Sequence, residues 1–205
     1  ETNLIEVPAY AFCKGELKYG KETIRDVYLP ESCLSIGSYA FSSCDSLREI
    51  TIGNSVTSIG NRAFYDCTSL SNITIPDSVT SIGSSAFTNC YSLNNITIPS
   101  GITSIGNGAF SGCKSLSSVD MPDSVTSIGD GAFRNCYSLS EITCLATTAP
   151  TVSSNTFSNI SSLGVLYYPG LNSSYDAWKQ YLPKWDFVSL YTPQECVNLV
   201  ISAEN

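Results

Sequence analysis

Apolar residues recur along this chain at a fixed interval of 23 residues, and this period decides how the rest of the sequence is interpreted. The most regular columns are Phe41, Phe64, Phe87, Phe110 and Phe133; Cys44, Cys67, Cys90, Cys113 and Cys136; and Leu47, Leu70, Leu93, Leu116 and Leu139. One complete unit reads SLSNITIPDSVTSIGSSAFTNCY over residues 69–91. A weaker copy, Leu163-x-x-Leu166-x-Tyr168, follows one period plus one residue after Leu139, and a remnant, Ile5-x-Val7-Pro8 followed by Ala11-Phe12, suggests one more unit at the start. Seven or eight stacked units of a solenoid are therefore predicted, each covering the apolar face of its neighbour.

Within each unit, the segment L-x-x-I-x-I places two apolar residues two positions apart, which predicts a strand with both on one face. A following proline such as Pro76 or Pro99 ends that strand, because proline cannot donate to the sheet. The glycine column that contains Gly83 predicts either a corner with positive φ or a close approach of neighbouring coils. The Ala-Phe pair is expected to fill the convex side, with a short helical or 3-10 turn through Ala-Phe-x-x-Cys.

After Pro169 the repeat stops and aromatic residues become frequent. Residues 172–182 suit a short amphipathic helix, with Tyr175, Trp178 and Leu182 on one face. A closing strand is expected at Trp185, Phe187 and Val188. We predict that these aromatic residues cover the last layer of the core, as the end of any solenoid requires. The alternative is an aromatic platform that stacks on sugar rings.

The predicted domain organisation follows from where the repeat ends. Residues 1–168 form the solenoid, residues 169–190 form a C-terminal cap, and residues 191–205 form a tail or an extra strand around Cys196–Ile201. The chain begins at Glu1 without methionine, so we expect a trimmed product from which a signal or anchor has been removed.

Composition narrows the possible functions. The balance of 10 basic and 18 acidic residues gives a net charge of −8, which argues against nucleic acid and against an anionic membrane surface as partners. No apolar run approaches the roughly 20 residues that span a bilayer. The sequence contains no histidine, which removes the commonest general base and the commonest metal ligand. We therefore expect a chain that is not an enzyme and that binds no cofactor.

Nine cysteines leave the choice between disulfides and buried thiols open in principle. Five of them share one column of the repeat, where parallel Cβ vectors oppose bridging. Cys33 and Cys144 fall in columns that otherwise hold core aliphatic residues. No C-x-x-C motif supports zinc binding. We predict small buried side chains, and at least one unpaired thiol because the total is odd.

The non-apolar positions of the strands are expected to point to a concave surface, which is the usual binding face of a solenoid. The first of its two columns is Asp26, Glu49, Asn72, Asn95, Ser118 and Glu141. The second is Tyr28, Thr51, Thr74, Thr97, Asp120 and Thr143, with Tyr167 following after a slip of one residue. The alternative, weighed equally, is a solvated sheet face on which threonine serves β propensity and stacking.

The carboxylates of Asp26 and Glu49 are predicted to lie on adjacent strands, where they could share a proton or hold a cation. Arg25 and Arg48 lie beside them, so a surface ion-pair network is favoured over a catalytic or calcium site.

The consensus L-x-x-I-x-I-P-x-x-V-T-S-I-G-x-x-A-F-x-x-C, repeated over residues 24–169, resembles the BspA-like (Treponema-type) leucine-rich repeat of bacterial surface proteins. The aromatic continuation after Val165 also resembles the C-terminal end of such proteins in Bacteroides-like bacteria. The predicted fold class is accordingly a β-rich α/β solenoid: a right-handed leucine-rich-repeat array with a parallel concave sheet, 23-residue repeats, short helical or 3-10 turns and a C-terminal aromatic cap.

The resemblance implies an extracellular or cell-surface protein, bacterial in origin, although similar repeats occur in protozoan surface proteins. Some members of the family are adhesins that bind host matrix or plasma proteins such as fibronectin and fibrinogen. An extracellular protein is therefore the expected partner, with a glycan as the second possibility and a structural spacer in a larger surface protein as a further one. No nucleic acid and no insertion into a membrane are expected.

Overall fold

The computed structural model describes residues 6–12, 24–170 and 173–190. Most coils contribute two parallel strands, one of three or more residues and one of two residues. In chain order the strands are β1 (Glu6–Val7), β2 (Asp26–Tyr28), β3 (Ser35–Ile36), β4 (Glu49–Thr51), β5 (Ser58–Ile59), β6 (Asn72–Thr74), β7 (Ser81–Ile82), β8 (Asn95–Thr97), β9 (Ser104–Ile105), β10 (Ser118–Met121), β11 (Ser127–Ile128), β12 (Glu141–Cys144), β13 (Gly164–Tyr168) and β14 (Trp185–Ser189). A 3-10 helix, Ser173–Gln180, lies between β13 and β14.

Successive coils pair in register, so that each residue lies beside its equivalent 23 positions away, as Ile50 does with Ile73. The longer strands form the sheets β2-β4-β6 and β8-β10-β12-β13-β14, and we call this ladder the long-strand sheet. The two-residue strands form the sheets β1-β3-β5-β7 and β9-β11, which we call the short-strand sheet. The chain is thus a parallel β-solenoid with 23-residue repeats and few helices, which confirms the predicted fold class.

The core lies between the sheets and is built from the columns that the sequence shows. Phenylalanine rings stack along the whole solenoid from Phe12 to Phe157, with centroids 5.0–6.0 Å apart and planes within 11° of parallel. The leucine column from Leu47 to Leu139 is fully buried. Offset aromatic stacking and the burial of aliphatic side chains are the main stabilising contributions in such a core.

A turn arc closes each coil between the glycine column and the cysteine column, as in residues 37–44. Alternate amides within it form 3-10-type bonds: Ala40 donates to Gly37 and Cys44 donates to Phe41. The amides between them donate to the next coil, as Phe41 does to Ala63 at 2.8 Å. The expected short 3-10 turn is therefore present as single 3-10-type hydrogen bonds, which alternate with hydrogen bonds to the next coil.

The glycine column marks a close approach of coils, which resolves the two possibilities left by the sequence. A Cβ atom on Gly83 would lie 2.5 Å from the backbone nitrogen of Asn61 in the preceding coil. Positive φ occurs instead within the turn arc, for example at Asp66 and Asn89. Only a residue without Cβ leaves room for the neighbouring backbone at this position.

The N-terminal remnant forms part of a coil, in a different register from the one its sequence suggests. Ile5-x-Val7-Pro8 resembles the end of a longer strand, yet Val7 pairs with Ile36 in the short-strand sheet. Phe12 then stacks on Phe41 at 5.0 Å. The ring stack and the paired Val7 therefore place residues 6–12 as the second half of a coil.

The C-terminal cap closes the core with the aromatic residues that the sequence indicates. Tyr175, Trp178 and Trp185 are buried, and the indole Nε1 of Trp178 donates to the carbonyl oxygen of Pro150 at 3.0 Å. Because these rings are buried, they do not form an exposed platform for sugars. The strand β14 pairs with β13 as a closing strand. The predicted strand-like run at 196–201 lies outside the described residues.

One apolar position near the cap was predicted wrongly. Leu163 continues the leucine column in the sequence, yet 64 % of its surface is exposed. The indole of Trp185 lies against Gly164 and its Nε1 donates to the carbonyl oxygen of Ser161. The cap therefore occupies the end of the core where the leucine would otherwise pack.

Candidate binding face

The long-strand sheet places the predicted binding residues in two straight columns. Asp26, Glu49 and Asn72 are direct neighbours on β2, β4 and β6. Asn95, Ser118 and Glu141 follow on β8, β10 and β12. The second column runs in the same way, and Thr143 pairs with Tyr167 despite the extra residue in the last coil. We call these two columns, Asp26, Tyr28, Glu49, Thr51, Asn72, Thr74, Asn95, Thr97, Ser118, Asp120, Glu141, Thr143 and Tyr167, the strand face.

Most strand-face side chains are exposed because they alternate with buried residues along each strand. Tyr28 is the most open, with 70 % of its surface accessible. Ser118, Thr143 and Tyr167 are half-buried. Within the described chain, none of the strand-face side chains forms a hydrogen bond or an ion pair. Their donors and acceptors are directed to solvent.

Elsewhere on the solenoid, hydroxyl and amide side chains bond to the neighbouring coil. The hydroxyl of Ser78 donates to the carbonyl of Val56 at 2.7 Å, and the amide of Asn89 donates to Asp66 at 2.7 Å. Threonines bond in the same way, as Thr126 does with Thr103 at 3.1 Å. The polar groups of these columns therefore hold coils together. Within the described chain, the side chains of the strand face do not, and neither do the serine hydroxyls of the short-strand sheet at Ser58, Ser81, Ser104 and Ser127.

The charges of the strand face are all negative. Four carboxylates, those of Asp26, Glu49, Asp120 and Glu141, lie on it. The predicted adjacency of Asp26 and Glu49 is confirmed by the register.

The expected ion-pair network with Arg25 and Arg48 is wrong, since neither arginine pairs with these carboxylates in the described part of the chain. The backbone of the two arginines is engaged instead, with the Arg48 amide donating to the Arg25 carbonyl at 2.7 Å. The side chains of both arginines are exposed, and an exposed ion pair adds little to the stability of the fold. Within the described ranges, no group of three potential metal ligands lies together.

A shallow cavity of about 390 Å³ lies at the N-terminal end of the strand face. Tyr28, Glu49 and Asn72 line it together with Glu31 and Asn54, which sequence reasoning missed. The amide of Asn54 donates to the Glu31 carboxylate at 3.5 Å. Both residues occupy a polar column in the turn after the strand, at the same 23-residue spacing, so the period itself contained the signal.

The seven described cysteines are all buried and unbridged. In the cysteine column each thiol donates to a phenylalanine carbonyl of the preceding coil, as Cys90 does to Phe64 at 3.2 Å. Burial in apolar surroundings raises the pKa of the Cys67 and Cys90 thiols well above the usual value. The prediction of small buried side chains is confirmed for these residues.

Comparison with known proteins decides the family. A BspA type leucine rich repeat region, in six copies, matches residues 5–114 and 80–177. The chain belongs to this BspA-type leucine-rich-repeat family. A comparison with curated proteins found no significant match.

Several solved structures share the fold. A leucine-rich repeat protein of T. pallidum is 28 % identical with a TM-score of 0.65, covering 90 % of this chain and 80 % of its own. A leucine-rich repeat protein from Eubacterium ventriosum is 28 % identical with a TM-score of 0.55, covering 68 % and 41 %. The pneumococcal vaccine antigen PcpA, at 22 % identity and a TM-score of 0.70 over 82 % and 42 %, shows the fold alone. The chain thus spans about two fifths of the latter two proteins. Among the described residues, no helix has the length and apolar character to cross a membrane.

Proposed function

We propose that this chain is a non-enzymatic protein-binding module whose partner contacts the strand face. One observation carries the proposal: the strand face presents two straight columns of polar side chains, with four carboxylates and no basic residue, that form no hydrogen bond within the described chain. A partner with a complementary surface can pair with these groups without breaking any bond of the solenoid. Leucine-rich repeats are typically protein-interaction modules, and membership of the family supports the same role.

The charge of the strand face indicates the character of the partner. Its four carboxylates and its lack of basic residues favour a partner with a neutral or basic contact surface. Binding is then expected to weaken as ionic strength rises, because salt screens exposed charges beyond about 10 Å at 0.1 M.

We also propose that the module acts outside a bacterial cell or on its surface, with a host matrix or plasma protein as partner. The support is family membership and the bacterial relatives in T. pallidum and Eubacterium ventriosum. A structural spacer is the second candidate. It is favoured by the likeness of residues 69–91 and 92–114, which agree at 14 of 23 positions and carry the same strand-face residues, since a face selected for one ligand usually varies between repeats.

A paired-variant binding screen tests the proposal against a panel of matrix proteins, plasma proteins and glycans. One variant carries Asn72→Arg, Asn95→Arg and Ser118→Arg on the strand face. Its control carries Ser81→Arg, Ser104→Arg and Ser127→Arg on the short-strand sheet of the same coils, with equal added charge.

A protein ligand should be bound by the wild type and by the control, and the strand-face variant should lose about tenfold or more in affinity. Equal loss in both variants, or binding by all three, would refute the strand face as the contact surface. Binding of glycans alone, or of nothing on the panel, would favour the glycan or spacer alternative.

A further inference from the structure

Three columns of backbone hydrogen bonds connect successive coils on the side of the two sheets. In the first, a residue at or next to the start of each longer strand donates to the residue that immediately precedes the corresponding strand of the preceding coil. The bonds are Arg48 to Arg25, Ser71 to Arg48, Ser117 to Asn94, Ser140 to Ser117 and Val165 to Ser140. Among the described residues, the series is interrupted once, at Asn94, whose amide makes no bond to Ser71.

The other two columns are interrupted at the same level. In the second, Thr57, Thr80, Thr126 and Thr151 donate to the preceding coil at 2.9–3.0 Å. In the third, Gly37, Gly60, Gly83 and Gly129 do so at 2.8–2.9 Å. Within the described coils, the amides of Thr103 and Gly106 lack the corresponding bonds, and both sheets end here, between β6 and β8 and between β7 and β9.

Distances and burial show that the coils are further apart at this level. A Cβ atom on Gly106 would lie 3.2 Å from the preceding backbone nitrogen, compared with 2.5–2.6 Å for Gly83 and Gly129. On the β6 side of the gap Ile73 is half-buried, whereas the equivalent Ile50 is 2 % exposed. Ile96, on the β8 side, stays buried at 4 % exposure, so the separation uncovers one apolar side chain and leaves the rest of the core closed.

The turn arc stays intact across the same junction. The amides of Phe87 and Asn89 donate to the next coil at 2.8 Å, and the Cys113 thiol donates to the Phe87 carbonyl at 3.1 Å. The rings of Phe87 and Phe110 remain parallel with centroids 5.4 Å apart. Outside the turn arc, the bonds described across this junction involve side chains: Ser92 donates to the Thr68 carbonyl at 2.8 Å and Ser100 donates to the Asp77 carboxylate at 3.4 Å. The backbone ladder between the two coils is thus intact on the turn-arc side only.

Gly101 provides a cause in the sequence. The equivalent Ser78 and Ser124 each donate a hydroxyl hydrogen bond to the preceding coil at 2.7 Å. Gly101 has no hydroxyl, and a Cβ placed on it would lie 3.3 Å from the carbonyl oxygen of Val79. The bond that clamps the two neighbouring junctions is therefore missing here. In the described coils, Ser55 also forms no such bond, although both sheets are continuous at its junction, so the loss of the clamp contributes to the gap and is not sufficient for it.

We propose that this junction, which we call the joint, is a hinge. The segments before and after it bend relative to each other about the turn arc, opening and closing the gap between β6 and β8. The strand face is consequently divided into two stiff halves, one ending at Thr74 and the other beginning at Asn95. The joint follows from backbone geometry and stands independently of any function of the strand face.

Amide hydrogen exchange of the wild-type chain tests the interruption on which the hinge depends. The amides of Asn94, Thr103 and Gly106 should have protection factors at least about tenfold lower than those of Ser71, Thr80 and Gly83, because they lack a hydrogen bond to the preceding coil and face the gap. Protection factors equal to those of their column neighbours would overturn the proposal.

Two variants then test the cause. Gly101→Ser restores a hydroxyl beside Val79, and should raise the protection of Asn94, Thr103 and Gly106 by about tenfold, the effect of one or two added hydrogen bonds. Its control, Ser124→Gly, removes the equivalent clamp one junction later and should lower the protection of Ser117, Thr126 and Gly129. Unchanged protection in both folded variants would contradict the assignment to Gly101. The wild-type comparison remains decisive if Gly101→Ser does not fold.

Discussion

At many positions in this solenoid, the distance to the neighbouring coil limits which side chain fits. The cysteine column illustrates this: each thiol has room for a small side chain and a carbonyl oxygen within 3.1–3.3 Å. The sequence predicts burial from the period alone. It does not show the thiol hydrogen bonds, because they depend on the stagger between coils.

The thiols of Cys67, Cys90 and Cys136 should resist modification in the native protein. Burial raises the pKa of each thiol, so the reactive thiolate is scarce at neutral pH and the sulfur is also shielded. Labelling with a thiol reagent, mapped by mass spectrometry, should show reaction at these positions only after denaturation. Rapid labelling of native Cys67 or Cys90 would disprove their burial.

Gly83→Ala should lower the free energy of unfolding by about 1–3 kcal/mol, because its Cβ would overlap the backbone of Asn61. Gly106→Ala is the matched control, since its Cβ would have 3.2 Å of separation and should cost under about 1 kcal/mol. Chemical denaturation of both variants measures the difference. Equal destabilisation would show that the two junctions are equally tight.

At the scale of elements, hydrophobic spacing predicts strands and their register wherever the repeat is regular. Hydrophobic spacing fails near the two ends of the described solenoid. Val7 pairs with the short-strand sheet, and Leu163 is displaced by the cap, because both positions depend on what lies beyond the last complete coil. The joint was also missed: Gly101 is visible as a departure from serine, but the interruption of two sheets is a property of the assembled coils.

Phe87→Ala should destabilise the solenoid by about 3–5 kcal/mol, since the ring is fully buried between Phe64 and Phe110. Tyr137→Ala, at a residue with 54 % of its surface exposed, is the control and should have little effect. Thermal or chemical unfolding gives the comparison. A small effect of Phe87→Ala would mean that the ring stack contributes little to stability.

At the scale of the whole molecule, the sequence predicts the fold and the composition of the strand face, and family membership supports a binding role. It does not identify the partner, because recognition depends on a complementary surface that no single chain contains. The predicted ion pairs around Asp26 and Glu49 are absent from the described chain, so the negative charge of the strand face is not offset locally. Glu31 and Asn54 extend this surface beyond the residues found from the strand pattern.

Hydroxyl-radical footprinting of the chain with a protein ligand from the binding panel tests the central claim most directly. Tyr28 and Tyr167 report on the strand face, and the exposed Tyr137 lies on the segment that follows Cys136. We predict that the ligand protects Tyr28, Tyr167 or both from oxidation and leaves Tyr137 unchanged. Protection of Tyr137 with full oxidation of Tyr28 and Tyr167 would contradict the strand face as the binding surface.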